Sequence, residues 1–279
     1  YVLCLGALEN CRFLLNSRIK KYINKNYLAK GFMSHPGFSN VGKIYLNNKC
    51  MKRKNFDNID KKLRYFTTEL NNKIKNNENI LGHGFSFKPV NAKSRIINKQ
   101  YSEVLKNLNY LEILNNLKCT FNNNITIPKE WDVSIGIEQE VSRNNFLRQS
   151  KSEKDIFNNP ILEIHWDNIS SKEKKTINLA NKYLSRQLIL SNLGIFELSK
   201  DIVNGNLFNQ EDSINHHIGL TRMSKDKKYG VVDKNLKLHS IKNIYMSGSS
   251  VFPSSASVNP TLTITALSLR LGDYLLDKF

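Results

Sequence analysis

Asn243-Ile-Tyr-Met-Ser-Gly-Ser-Ser-Val-Phe-Pro253 and Val258-Asn-Pro-Thr-Leu-Thr-Ile-Thr-Ala266 are the two stretches that decide the fold of this chain. The first predicts a short apolar strand over residues 241–247 that ends in a Gly/Ser turn. In the second, Asn259 and Pro260 are typical of the N-cap and first position of a helix. That helix is apolar along several positions, and we predict that it is buried: Leu262, Ala266, Leu267, Leu269.

The start of the chain has the same order of strand, glycine turn and helix. Tyr1-Val-Leu-Cys-Leu5 predicts a buried strand, Gly6 and Ala7 turn the chain, and residues 8–17 have helical spacing. Such a unit is typical of α/β folds. Because the chain begins inside a predicted strand, we expect it to be a fragment.

The middle of the chain has a different pattern. Apolar residues alternate over residues 131–140, and residues 144–149 and 161–166 are also strand-like, which predicts neighbouring antiparallel strands of one sheet. Ser170 or Ser171 should cap a helix of about twenty residues, with Glu173 in its first turn. Two further helices are predicted over residues 61–75 and 102–117. We therefore predict a mixed α/β (α+β) chain, with one domain built from both ends and a second domain inserted.

Composition excludes some functions. The net charge is +18 and the pI about 9.7, but the excess comes from 32 Lys rather than 10 Arg, and Asn reaches 38. These residues share A/T-rich codons, so we expect no nucleic-acid partner. No apolar run reaches the roughly 18 residues of a transmembrane segment. Cys4 and Cys11 are predicted to be buried thiols, and no spacing indicates a disulfide or metal site. A reducing, cytoplasmic location is the expectation.

His216 and His217 are the candidate bases, because an imidazole accepts a proton near neutral pH. Adjacent histidines on an extended segment point in opposite directions, and either could be a structural residue. In the same way, Asn259 could simply cap its helix, Arg222 could be a surface charge, and Asp233 could be a turn residue.

Five short motifs occur in order and resemble the C-terminal signature of glucose-methanol-choline (GMC) oxidoreductases. They are His-x-x-Gly at residues 216–219, Arg222-Met223, Gly230-Val-Val-Asp233, Gly248-Ser-Ser-Val-Phe-Pro253, and Asn259-Pro-Thr261. Residues 3–15 resemble the strand and Gly-Ala turn of this family, and Phe32-Met-Ser-His-Pro36 resembles a His-Pro loop of some bacterial members. Leu220 departs from the usual Thr, and Gly248 stands where many members have Asp.

The resemblance implies an FAD cofactor and a two-domain architecture. Residues 1–35 and 215–279 would form the remainder of a Rossmann-like FAD-binding domain. Residues 36–214 would form a substrate-binding domain of antiparallel sheet and helices. The implied FAD contacts are at two turns and at the start of the last helix: Gly6, Ala7, Gly248, Ser249, Pro260, Thr261.

The resemblance also implies the reaction, which is oxidation of a CH–OH group of an alcohol or sugar with hydride transfer to flavin N5. His216, three residues before Gly219, would be the base that accepts the hydroxyl proton. Asn259 would hydrogen-bond the substrate oxygen. The helix that follows would direct its positive end at the flavin.

Three alternatives remain open at this point. No Gly-x-Gly-x-x-Gly follows a predicted strand, since Gly82-His-Gly84 has Phe87 at the third position, so we expect the isolated chain to bind FAD poorly and to be inactive. The chain could instead be a non-catalytic basic binding protein, or a gene remnant, on the same scaffold. It could also be a related flavoenzyme of the pyranose or fructose dehydrogenase type. Oxidase and dehydrogenase are not distinguished.

Overall fold

The computed structural model describes residues 1–46, 66–90, 130–166, 169–205 and 216–278. The helix predicted over residues 102–117, together with Cys50 and Cys119, lies outside these described residues. The described part of the chain is a mixed α/β structure with two hydrophobic cores, which confirms the predicted fold class.

The larger sheet has five antiparallel strands, which span Gly37–Leu46 (β2), Phe66–Thr68 (β3), His83–Pro89 (β4), Glu130–Ile137 (β5) and Gly194–Leu198 (β8). Their order across the sheet is β3-β4-β5-β2-β8. In β5 every second side chain is buried, as the alternation predicts: Trp131, Val133, Ile135, Ile137. The apolar face of β5 therefore fixes which side of the sheet holds the core.

The long helix α3 (Ser171–Leu190) covers this sheet. Its N-cap is Ser170, whose Oγ accepts the Glu173 amide proton at 3.2 Å, while Glu173 Oε2 accepts the Ser170 amide proton at 2.7 Å. This capping box confirms the predicted start and length of the helix. A short helix α4 (Lys200–Val203) follows β8, and α2 (Asn72–Glu78) lies between β3 and β4.

Strands β6 (Phe146–Lys154) and β7 (Pro160–His165) form a separate antiparallel hairpin. The prediction that β5, β6 and β7 share one sheet was therefore wrong. The buried side chain of Leu147 in β6 packs in the core formed by the chain ends, not in the core beneath β5. Side-chain alternation identifies each strand but carries no information about which sheet a strand joins.

The two chain ends meet in a parallel pair of short strands, β1 (Val2–Leu3) and β9 (Tyr245–Met246), with Val2 opposite Tyr245. Helix α1 (Gly6–Asn16) follows β1, and a 3₁₀ turn at Ser249–Val251 follows β9. Both observed strands are shorter than the predicted strands over residues 1–5 and 241–247. The carboxyl ends of both strands lie at the same edge, where Gly6 and Gly248 turn the chain.

Helix α5 (Thr261–Lys278) closes the chain. The Ile264 amide donates to the Pro260 carbonyl at 2.9 Å, so Pro260 is the N-cap residue. The helix therefore begins one residue later than predicted, and Asn259 lies just before the cap. The prediction of a buried helix was wrong, because Leu262 is 81% and Leu269 67% exposed. Only one face packs on the core, through residues that include Ile264, Leu267 and Leu271.

Two other predictions were wrong. Residues 66–68 form a strand rather than part of a helix over 61–75, because this segment pairs with β4, and the helix begins only after the Asn71 cap. Cys4 is exposed, since it lines a cleft beside the short strand β1, whereas Cys11 is fully buried as predicted. Burial raises the pKa of the Cys11 thiol to about 12.

The two hydrophobic cores consist of different segments. One contains residues from 7–33 and 218–271 together with Leu147, and the other contains residues from 38–44, 85–87, 131–137 and 169–202. The domain division at residues 35/36 and 214/215 stays a prediction. In the part of the chain that the structure describes, no helix has both the length and the apolarity to cross a membrane.

Candidate active site

Three backbone hydrogen bonds hold the His-x-x-Gly segment against the turn that follows β9. The amide groups of Gly219, Thr221 and Met223 donate to the carbonyls of residues 249, 250 and 251 at 2.8–3.0 Å. The Ser249 hydroxyl also donates to the His217 carbonyl at 2.6 Å. Two motifs that are about 30 residues apart in the sequence therefore form one rigid unit.

A second segment, the loop over residues 29–36, packs on the other edge of this unit. Met33 and Ile218 are an antiparallel pair that exchanges both backbone hydrogen bonds, at 3.0 and 2.9 Å, and the Ala29 amide donates to the Leu220 carbonyl. A Cβ added to Gly219 would lie 2.4 Å from the Gly31 carbonyl oxygen, so the two backbones approach as closely as glycine allows.

The proposed base, His216, lies beside a second histidine of this loop. The ring centroids of His35 and His216 are 5.2 Å apart and the rings are nearly perpendicular. His217 instead packs on Phe32, with ring centroids 5.8 Å apart. The neighbouring histidines therefore have different surroundings, as expected for an extended segment.

Burial, and to a smaller extent repulsion from His216, lowers the pKa of His35 from 6.5 to about 4. The nearby backbone of Ala256 has the opposite effect and raises the pKa of His35. Neither ring nitrogen of His35 makes a hydrogen bond of normal geometry among the described residues. His35 is therefore a neutral imidazole at physiological pH.

The two glycine turns form one wall of a cleft at the carboxyl ends of β1 and β9. Its volume is about 450 Å³, and its lining includes Gly6, Gly248 and Ser249 together with Ser247, Ile264 and Ser268. Gly6 and Gly248 have φ of +80° and +116°. A Cβ at Gly6 would meet nothing within 4 Å, so its backbone is open to the cleft.

Asn10, which sequence reasoning missed, holds these turns together. Its side chain is fully buried, and its amide nitrogen donates to the Ser247 carbonyl at 2.9 Å and to Ser250 Oγ at 3.2 Å. Its oxygen accepts the Leu5 amide proton at 3.0 Å. The only signal in the sequence is a polar residue on the buried face of α1, one helical turn after Gly6.

The remaining predicted site residues lie elsewhere. Ala7 is buried in the core and does not line the cleft. Asn259 and Pro260 line a separate cavity of about 300 Å³ next to the loop over residues 252–258. Asn259 and Thr261 are exposed, and the Asn259 side chain makes no hydrogen bond to any residue that the structure describes. Among the described residues, His35 connects these parts, since it contacts His216 and lies near Ala256.

Part of the chain is similar to proteins of a known family. Residues 142–268 match the GMC oxidoreductase family model for the C-terminal region. The chain is 29% identical over 136 residues to the fructose dehydrogenase large subunit of Gluconobacter japonicus. This alignment covers 48% of this chain and 23% of that protein.

Solved structures share the fold along almost the whole chain. Pyridoxine 4-oxidase from Mesorbium loti aligns with a TM-score of 0.57 and 15% identity, and formate oxidase with 0.51 and 14%. Both alignments cover 98% of this chain, and they cover 50% and 53% of the respective structures. A formate oxidase from Aspergillus oryzae, described in a study of its FAD modification, aligns with a TM-score of 0.52.

This chain thus spans about half the length of these structures and about a quarter of the curated relative. The matched segment contains the His-x-x-Gly motif, the turn after β9 and the start of α5. Residues 142–268 are therefore similar to the C-terminal region of GMC oxidoreductases, and nearly the whole chain shares the fold of the solved oxidases.

Proposed function

We propose that this chain is part of an FAD-dependent oxidoreductase that acts on a CH–OH group of an alcohol or sugar. The observation that carries the proposal is the hydrogen-bonded unit in which the segment after His216 is fixed to the Gly248 turn. This unit lies at the carboxyl ends of two parallel strands, where α/β folds bind dinucleotides.

The cleft beside this unit fits a flavin dinucleotide. Two glycines in left-handed conformations leave the backbone of residues 6 and 248 accessible, which allows the close approach that a dinucleotide requires. Gly6, Gly248 and Ser249 would line the FAD, and Pro260 and Thr261 would contribute the positive end of α5. Ala7 would support the turn from within the core. When bound, FAD supplies the acceptor for the substrate hydride.

The chain's own residues would supply the proton chemistry and the orientation of the substrate. His216 accepts the hydroxyl proton as the C–H bond breaks, so it must be neutral before the reaction. Asn259, whose amide is free among the described residues, donates a hydrogen bond to the substrate oxygen and holds the developing alkoxide. His217 does not act as the base, because its ring packs on Phe32.

The decisive experiment compares adjacent histidines in the holoenzyme. We expect His216→Ala to lower the rate of flavin reduction by about 10²–10⁴-fold, because the general base is lost. His217→Ala is the matched control, with an expected effect below about tenfold. Stopped-flow reduction by a panel of alcohols and sugars measures both variants and identifies the substrate class. A wild-type rate in His216→Ala would contradict the assignment.

A further inference from the structure

We propose that His35 is a positioning residue for His216: a neutral imidazole, fixed by its neighbours, that sets the orientation of the His216 ring and keeps positive charge away from it. This inference rests on the proposed function, because His216 must be a base for its orientation to matter.

The backbone pairing places the two rings side by side. Because Met33 and Ile218 are opposite residues of an antiparallel pair, His35 and His216 are opposite each other two positions further along. Opposite side chains in such a pair lie on the same face, with Cβ atoms about 5 Å apart. The observed centroid distance of 5.2 Å and interplanar angle of 84° are those of an edge-to-face ring contact.

The backbone on both sides of His35 is held by hydrogen bonds. The Ser34 amide donates to Gln139 Oε1 at 2.7 Å, and the Pro36 carbonyl accepts the Ile137 amide proton at 3.0 Å. Gln139 is itself bound to the Ser255 hydroxyl at 2.9 Å. These bonds tie His35 to the end of β5 and to the loop that leads to Asn259. The backbone that carries the His35 ring is therefore fixed next to His216.

Charge explains why this ring must be neutral. A base that accepts a proton becomes an imidazolium, and a cation about 5 Å away would oppose that step. Both His35 nitrogens are buried, which disfavours the charged form. Of the titratable side chains that the structure describes, His216 is the one whose charge acts on His35, and the remaining influence is the backbone of Ala256.

Four variants of the holoenzyme test the proposal through the rate of flavin reduction. We expect His35→Ala to lower this rate by about 10- to 100-fold with little change in KM, because a misplaced base loses alignment. His35→Phe keeps a neutral ring and should remain within about threefold of wild type. His165→Phe is the matched control, since His165 also has a buried, unpartnered nitrogen but stacks on Phe146.

His35→Lys tests the role of charge. At neutral pH we expect His35→Lys to lower the rate of flavin reduction at least as much as His35→Ala does. The rate should then recover as rising pH removes the proton from the lysine ammonium group. A purely structural defect would instead give the same pH dependence as His35→Ala. The proposal is overturned if His35→Ala keeps the wild-type rate, if His35→Phe is as slow as His35→Ala, or if the His35→Lys and His35→Ala rates have the same pH dependence.

An NMR titration gives a readout that does not depend on activity. Replacing His216 with Ala removes the repulsion on His35, so the pKa of His35 should rise from about 4 and remain below 6.5, because burial persists. An unchanged His35 pKa in this variant would contradict the proposed interaction between the two rings. If His216→Ala keeps its activity, the proposed function fails, and the titration still decides whether the two rings interact.

Discussion

At the scale of single residues, the candidate site concentrates backbone conformations that most residues avoid. Gly219 and Gly248 have φ of +83° and +116°, and Leu220, fully buried, has φ of +83°. A left-handed conformation costs a non-glycine residue about 1–3 kcal/mol unless the surroundings hold it. Here the Leu220 carbonyl accepts the Ala29 amide proton at 2.9 Å, which fixes the strained residue against the loop containing His35.

Gly219 should not tolerate a side chain. We expect Gly219→Ala to lower the free energy of unfolding by at least about 2 kcal/mol, because φ is unfavourable and the Cβ meets the Gly31 carbonyl at 2.4 Å. Gly136→Ala in β5 is the matched control, since a Cβ there meets nothing within 4 Å, and it should be neutral or slightly stabilising. Thermal unfolding measures both, and equal melting temperatures would contradict the expectation.

At the scale of elements, local signals and tertiary contacts contribute differently. The capped start of α3 and the alternation in β5 were predicted correctly, because both depend on residues a few positions apart. The burial of α5 was predicted incorrectly. Apolar residues occur all around this helix, and the sequence does not specify which of them pack against the core. The segment over residues 66–68 became a strand through pairing with β4, which no local pattern specifies.

The N-cap of α3 should be measurably stabilising. We expect Ser170→Ala to lower the free energy of unfolding by about 1 kcal/mol, because the amide proton of Glu173 loses its acceptor. Ser191→Ala at the other end of the helix is the matched control, since that exposed hydroxyl makes no hydrogen bond within the described part of the chain. Chemical denaturation of both variants gives the comparison, and the same loss in each would exclude a capping contribution.

At the scale of the whole molecule, contacts distant in sequence join the chain ends to the hairpin of β6 and β7. Arg12 in α1 forms an ion pair with Asp155 and donates to the Pro160 carbonyl at 3.2 Å. Hydrogen bonds from the Asn159 amide, and then from Arg12, hold the pKa of Asp155 below its ordinary value of 3.8. The same carboxylate thus shapes the hairpin turn and attaches it to α1.

This depressed pKa sets a direction for pH dependence. A carboxylate with a lowered folded-state pKa stabilises the protein above its unfolded pKa, and that stability is lost as pH falls through the folded-state value. We therefore expect Asp155→Asn to lower the melting temperature slightly near pH 7. The difference from wild type should begin to shrink below about pH 4 and should disappear once pH has fallen through the lowered folded-state pKa. A difference that stays constant into the acid range would show that charge is not responsible.

The sequence alone determined the capped start of α3, the buried face of β5 and the family resemblance, because caps, side-chain alternation and motif order are local features that each segment carries by itself. It also predicted His216 and Asn259 as candidates from motif position. The tertiary structure decided what those residues contact. The pairing of Met33 with Ile218 places His35 on His216, and the buried Asn10 joins the Gly6 turn to the turn after β9. Both contacts join segments far apart in the chain, so their register follows from packing rather than from any local pattern.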